Sequence, residues 1–202
     1  DGSGVGGNGK DPLFTYAQAG KYNVSLEVTT NFGCSASAEL PVTISPSPTA
    51  DFSFDPPCLD KPIEFLNTSS AGIESTDWVI SNTRYSVPNP VHTFPSPAEY
   101  LVQLTVKGSN ECENTISKTI EIRPVPVLDF STTAACATKE TTFSDATTGE
   151  DLPSTWQWDF GSGNISMGSP TTYNFPSVGF FPVTMSVITE AGCQYEITKQ
   201  II

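Results

Sequence analysis

Apolar and polar residues alternate with a period of two along most of this chain. Tyr22, Val24, Leu26 and Val28 share one face, with Asn23, Ser25 and Glu27 opposite. The pattern returns at Tyr100, Val102, Leu104 and Val106, and again at Phe181, Val183, Met185 and Val187. Such alternation predicts antiparallel strands with one face on a core and one in water. A polar turn follows each segment, over 30–33, 108–110 and 190–192, and further strands are predicted over 115–122 and 196–202. No stretch sustains a helical period.

The alternating segments are copies of one another. Residues 14–28, 92–106 and 173–187 superimpose, and each leads to a cysteine: Cys34, Cys112 and Cys193, spaced 78 and then 81 residues apart. A period that long means one small domain per copy. The fronts of two copies match as well. Ala50-Asp-Phe-Ser-Phe54 parallels Leu128-Asp-Phe-Ser-Thr132, Cys58 parallels Cys136, and central strands carry Trp78 and Trp158. The predicted organisation is a C-terminal half-module over 1–46, a complete module over 47–125 and a second complete module over 126–202. The half-module begins past the place of its own tryptophan strand, so a sheet edge and a core face are expected to stand uncovered there. Regular short strands with Pro- and Gly-rich turns predict an all-β chain of tandem β-sandwiches. Trp78, Trp158, Tyr22, Tyr100 and Phe181 are the predicted core residues. Ser45-Pro-Ser-Pro48 and Arg123-Pro-Val-Pro126 read as short semi-rigid linkers, which predicts an extended rod.

Composition narrows the function. The formal charge is −13, with nine Lys and Arg and no basic cluster. That disfavours nucleic acid and anionic membrane surfaces as partners. No apolar run approaches the roughly 18 residues of a membrane span. His92 is the only histidine, so Ser-His-Asp and Cys-His mechanisms lack a well-supported base. No carboxylate pair recurs in a cleft motif. The expectation is a protein that is not an enzyme and holds no cofactor. Asp51, Asp129 and Asp159 lie on strands near carbonyl-rich turns and are weak calcium candidates, because calcium takes six to eight oxygens and no dense acidic loop supplies them. Trp156 sits two residues from Trp158 on the same face. It reads either as packing at the core edge or as a ring that stacks on sugar.

Trp158-Asp-Phe-Gly-Ser-Gly163 and Gly20-Lys-Tyr-Asn-Val-Ser-Leu-Glu-Val28 resemble the hallmark segments of the polycystic kidney disease (PKD) domain, an immunoglobulin-like sandwich. Gly179 to Val187 resembles the second with Phe for Tyr and Met for Leu. Ser162 replaces the second Asp of the first, Trp78 alone survives of it in the middle copy, and Asp1-Gly2 looks like its tail. The cysteine-bearing variety is similar to tandem repeats in large surface proteins of Bacteroidetes, among them gliding-motility adhesins delivered by type IX secretion. The resemblance implies an extracellular, cell-surface stalk or adhesin segment. Its implied partners are neighbouring repeats, secretion or motility machinery, or surface glycans. A glycan- or protein-binding module and an accessory spacer of a secreted hydrolase remain as alternatives.

Five cysteines in a repetitive β chain point to an oxidising compartment. Two pairings stay open, with free thiols as a third alternative. One is within modules, Cys58 with Cys112 and Cys136 with Cys193. The other runs across the linker, Cys58 with Cys193. In an immunoglobulin-like order the turns carrying Cys58 and Cys112 lie at opposite ends of a strand about 23 Å long, whereas bridged Cα atoms lie within about 7 Å.

Overall fold

The computed structural model describes residues 9–133, 139–161 and 163–202. Asp1-Gly2, Cys136 and Ser162 lie outside the described residues. Among the described residues the structure is all strand, with no helix. A hairpin comes first, β1 (Gly20–Thr29) paired with β2 (Ser35–Ile44).

Two seven-stranded sandwiches follow. The first contains β3 (Phe52–Phe54), β4 (Pro62–Asn67), β5 (Ile73–Ile80), β6 (Thr83–Tyr85), β7 (Val91–Thr93), β8 (Ala98–Gly108) and β9 (Glu113–Ile122). Its sheets run β3-β4-β7 and β6-β5-β8-β9. The second contains β10 (Phe130–Thr132), β11 (Glu140–Asp145), β12 (Pro153–Asp159), β13 (Ile165–Met167), β14 (Thr171–Asn174), β15 (Phe181–Thr189) and β16 (Gln194–Ile201). Its sheets repeat the order, β10-β11-β14 and β13-β12-β15-β16. Even a register shift recurs, between Ile73 and Ser75 on β5 and between Pro153 and Thr155 on β12. All named pairings are antiparallel, which lets each sheet keep one wet face and gives the sequence its period of two.

Each sandwich closes over its own core. Phe52, Ile63, Phe65, Trp78 and Leu104 belong to the first; Phe130, Phe143, Trp158, Val183 and Met185 to the second. Trp78 and Trp158 are fully buried at equivalent places, each meeting a phenylalanine of the facing sheet, Phe52 or Phe130, with ring centroids 5.1 Å apart. The Trp158 indole N–H donates to the Gly168 carbonyl at 2.8 Å; the Trp78 indole N–H has no hydrogen-bond partner among the described residues. Tyr100 and Phe181 are half-buried and pack against these cores.

Tyr22 departs from its expected place. It is half-buried beside Tyr16, with ring centroids 4.4 Å apart, but it joins no core. The β1–β2 hairpin is a two-stranded sheet among the described residues, and no second sheet covers its apolar face. A strand face becomes core only when another layer removes it from water.

Candidate functional site

Three copies of one turn present the cysteines that follow the long strands. In each, a backbone N–H donates to the cysteine carbonyl: Thr30 to Cys34, Gly108 to Cys112 and Thr189 to Cys193, all at 2.9 Å. The residue before the cysteine is left-handed every time, at φ 81° for Gly33, 63° for Glu111 and 87° for Gly192. The turn therefore places the cysteine at the same end of the sheet in every copy.

At the third turn the thiol is used. Cys193 is bonded to Cys58, which lies between β3 and β4 of the other sandwich, with Cα atoms 5.6 Å apart and 135 positions between them in sequence. The within-module pairs, Cys58–Cys112 and Cys136–Cys193, are not formed. The strand order explains why: the turn after the first strand and the turn before the last strand sit at opposite ends of one sandwich, so Cys58 meets the near end of the next. Cys34 and Cys112 carry free thiols, Cys34 exposed and Cys112 half-buried. Two features favour glycine at position 192. Its φ is left-handed, and a Cβ there would stand 3.1 Å from Cγ of Pro56, two residues before the bonded Cys58.

Charge organises the rest of the junction. Arg123, at the end of the first sandwich, forms an isolated bridge with Cys58. Its Nε reaches Glu121 at 3.2 Å, and one terminal nitrogen lies 3.9 Å from Asp151 and 3.7 Å from Glu190, both of the second sandwich. Asp151 is almost fully buried and accepts the Ala191 N–H at 3.1 Å. Those carboxylates hold Arg123 above its ordinary value, Glu121 most strongly. Burial pushes the Tyr195 phenol up, with the Asp151 charge adding to it. The linker is tied down by paired backbone bonds between Val127 and Thr148, at 2.8 and 3.0 Å.

A second device appears in both sandwiches. Lys118 on β9 pairs with Asp51 at 2.8 Å, donates to the Phe52 carbonyl and lies 4.7 Å above the Phe52 ring. Lys199 on β16 does the same with Asp129, the Phe130 carbonyl and the Phe130 ring. Each lysine clasps the first strand of one sheet to the last strand of the other. It buries its stem while its head satisfies a carboxylate and a π-face. The hydrogen-bonded lysine holds Asp51 and Asp129 below the usual carboxylate range.

The calcium candidates are thus engaged otherwise. Asp51 and Asp129 take lysines, and Asp159 accepts the Gly161 N–H at 2.7 Å in a turn. Among the described residues no group of three metal-ligating side chains forms. Trp156 is half-buried and packs against the edge of the second core. A groove of about 490 Å³ lies beside it, lined by Gln157, Met167, Ile188 and Glu196 among others. His92 is half-buried in the first sandwich; its Nδ1 shares a hydrogen bond with the Tyr85 hydroxyl at 2.8 Å, and burial lowers its pKa. The lysine clasps and Arg123 escaped the sequence reading. The repeat held a signal for the clasps: Lys118 and Lys199 are 81 residues apart, as are Cys112 and Cys193.

These features define a tandem of immunoglobulin-like sandwiches coupled end to end. A family model described as the PKD domain matches residues 121–201. Among solved structures, the chain resembles the PKD1 domain of Vibrio anguillarum Epp, at 23% identity over 38% of this chain and 94% of that one, with a TM-score of 0.35. It resembles the PKD1 domain of the Vibrio cholerae metalloprotease PrtV at 26% identity over 38% and 96%, with a TM-score of 0.35. A third similar structure is a carbohydrate-binding module of the β-sandwich superfamily, at 14% identity over 78% and 99%, with a TM-score of 0.36. No curated protein matches. The fold is a PKD-like immunoglobulin sandwich. No helix among the described residues is long and apolar enough to cross a membrane.

Proposed function

We propose that this chain is a non-catalytic extracellular spacer, built from modules at 1–46, 47–125 and 126–202. It sets the distance between whatever lies at its two ends. The observation that carries the reading is the Cys58–Cys193 bond between two separately closed sandwiches. A disulfide belongs to an oxidising compartment, and one placed between domains fixes their relation rather than stabilising either fold alone. The charge of −13 keeps such a surface soluble and repels neighbouring copies. In its finer form, the reading makes the parent a large repetitive Bacteroidetes surface adhesin, exported by type IX secretion and serving attachment or gliding. The motif resemblance described above supports that form.

Small-angle scattering tests the spacer. A single merged globule of this length has a radius of gyration of about 16–17 Å, whereas sandwiches in line give more than about 20 Å. A value near the lower figure overturns the reading.

One observation favours a second reading, recognition of a glycan or protein: the groove beside Trp156. It predicts binding on a glycan array that is lost in Trp156→Ala. An array with no signal removes it for glycans.

A further inference from the structure

We infer that the Cys58–Cys193 bond takes residues 59–192, which hold the bulk of both sandwiches and the linker between them, out of the covalent line of tension. Pulling on the chain by its two ends then cannot lengthen it by unfolding them. The inference goes beyond the spacer reading and rests on it only for its biological use.

From the N-terminal side the chain runs along β3, reaches Cys58, crosses directly to Cys193 and leaves along β16. Residues 59–192 form a side loop outside the covalent path. That loop holds Ile63, Phe65, Trp78, Leu104, Phe143, Trp158, Val183 and Met185, the bulk of both cores. It also holds the whole linker, Arg123-Pro-Val-Pro126. Pairing within modules would have acted differently. Cys58–Cys112 and Cys136–Cys193 would each shield one sandwich and leave the linker as the loaded element between them. The observed bond crosses the junction and shields that too.

Of what remains in the path, the β1–β2 hairpin can still open, but the strands beside the bond are already drawn out. A β-strand rises about 3.3 Å per residue, close to the 3.3–3.6 Å limit of an extended chain, so β3 and β16 have little length to give. Both path strands are clasped to the facing sheet. Lys118 pairs with Asp51 and the Phe52 carbonyl at β3, and Lys199 on β16 pairs with Asp129. The loaded strands thus carry the repeated ionic clasps.

Single-molecule stretching of the 202-residue chain, held by its two ends, tests this. In the oxidised protein, residues 59–192 are expected to release no length. A thiol reductant converts the bond to two thiols and is itself oxidised to a disulfide. The fully stretched chain should then be longer by about 450–490 Å, the 135 positions at 3.3–3.6 Å each. The double variant Cys58→Ser/Cys193→Ser should reach the same length without reductant. Cys112→Ser should leave the oxidised trace unchanged. The reductant arm uses the native sequence, so a variant that fails to fold does not blunt the test. Oxidised wild-type chain that stretches as far as reduced chain overturns the inference, as does added length in Cys112→Ser. The spacer reading can fail separately: a compact particle in scattering, or avid glycan binding, with the force shielding intact.

Discussion

Strand β1 and strand β8 carry the same alternation, Tyr-x-Val-x-Leu-x-Val, and reach opposite environments. On β8, Val102, Leu104 and Val106 are all 0% exposed; on β1, the matching Val24, Leu26 and Val28 are 40%, 59% and 55% exposed. Both strands are ten or eleven residues long and each pairs with its following strand in an unbroken antiparallel register. Their local details agree as well. The Tyr22 hydroxyl donates to the Gln18 carbonyl at 2.8 Å and the Tyr100 hydroxyl to the Ser96 carbonyl at 2.9 Å. This is the tyrosine corner of immunoglobulin-like sandwiches. An aromatic neighbour flanks each tyrosine, Tyr16 or Phe94, with centroids 4.4 Å apart. The difference is the facing sheet, present over β8 and absent over β1 among the described residues. Alternation and turn chemistry are sufficient for the hairpin; burial, and the stability that comes with it, is a property of two layers.

The largest effect that sharpens this contrast concerns the bond between the sandwiches. Closing a loop of 135 positions restricts the unfolded chain by about 5 kcal/mol in loop-closure entropy. Cys58→Ser should therefore lower the denaturant midpoint of the two sandwiches, read by tryptophan fluorescence, and leave the β1–β2 hairpin unaffected. An unchanged midpoint would mean the bond contributes nothing to holding the pair folded. Next in size, Leu104→Ala should cost about 3 kcal/mol through lost burial and a residual cavity. Leu26→Ala, its copy on the hairpin, should stay within about 0.5 kcal/mol. Equal costs at the two sites would break the comparison.

Much of this was legible before any coordinates. The period of two located β1, β8 and β15, because a strand with one wet face and one dry face must alternate; the ten-residue β2 was not among the strands read from sequence. Trp78 and Trp158 were legible as core because a repeated tryptophan on a central strand has few other uses. The three-residue edge strands β6 and β13 were not foreseen, since so short a segment has no period to read. Nor was the network at Arg123. Asp151 lies 28 residues away in sequence and becomes its neighbour only once the linker has set two sandwiches end to end. Tyr22 was misplaced for the same reason: its sequence is that of a core strand, and its surroundings depend on a second sheet.

Two smaller predictions probe features the copies share. Gly33 and Gly192 occupy the same left-handed position, but a Cβ meets nothing at Gly33 and lies 3.1 Å from Pro56 at Gly192. Gly33→Ala should cost only the conformational penalty, about 1–2 kcal/mol. Gly192→Ala should in addition push the junction apart and slow formation of the Cys58–Cys193 bond, measured by thiol titration during oxidation. Equal rates in the two variants would remove the steric role of Gly192.

The smallest effect is acid-linked. Asp51 and Asp129 have folded pKa values lowered chiefly by their lysine hydrogen bonds. A depressed carboxylate contributes its stability fully above the unfolded value of about 3.9 and loses it as pH falls through the folded value. Lys118→Met should therefore be less stable than wild type at neutral pH, with the gap closing as pH drops below about 4. A gap independent of pH would show that the lysine acts through packing alone.

Cys58 of one sandwich is covalently joined to Cys193 of the next. Digesting the non-reduced protein after lysine, arginine and glutamate places each cysteine on its own peptide, and mass spectrometry then reads the connection. One cross-linked species should appear, joining the Cys58 peptide to the Cys193 peptide, with Cys112 recovered as a free thiol. A Cys58–Cys112 species would contradict it, by confining the bond to a single sandwich and returning the linker to the line of load.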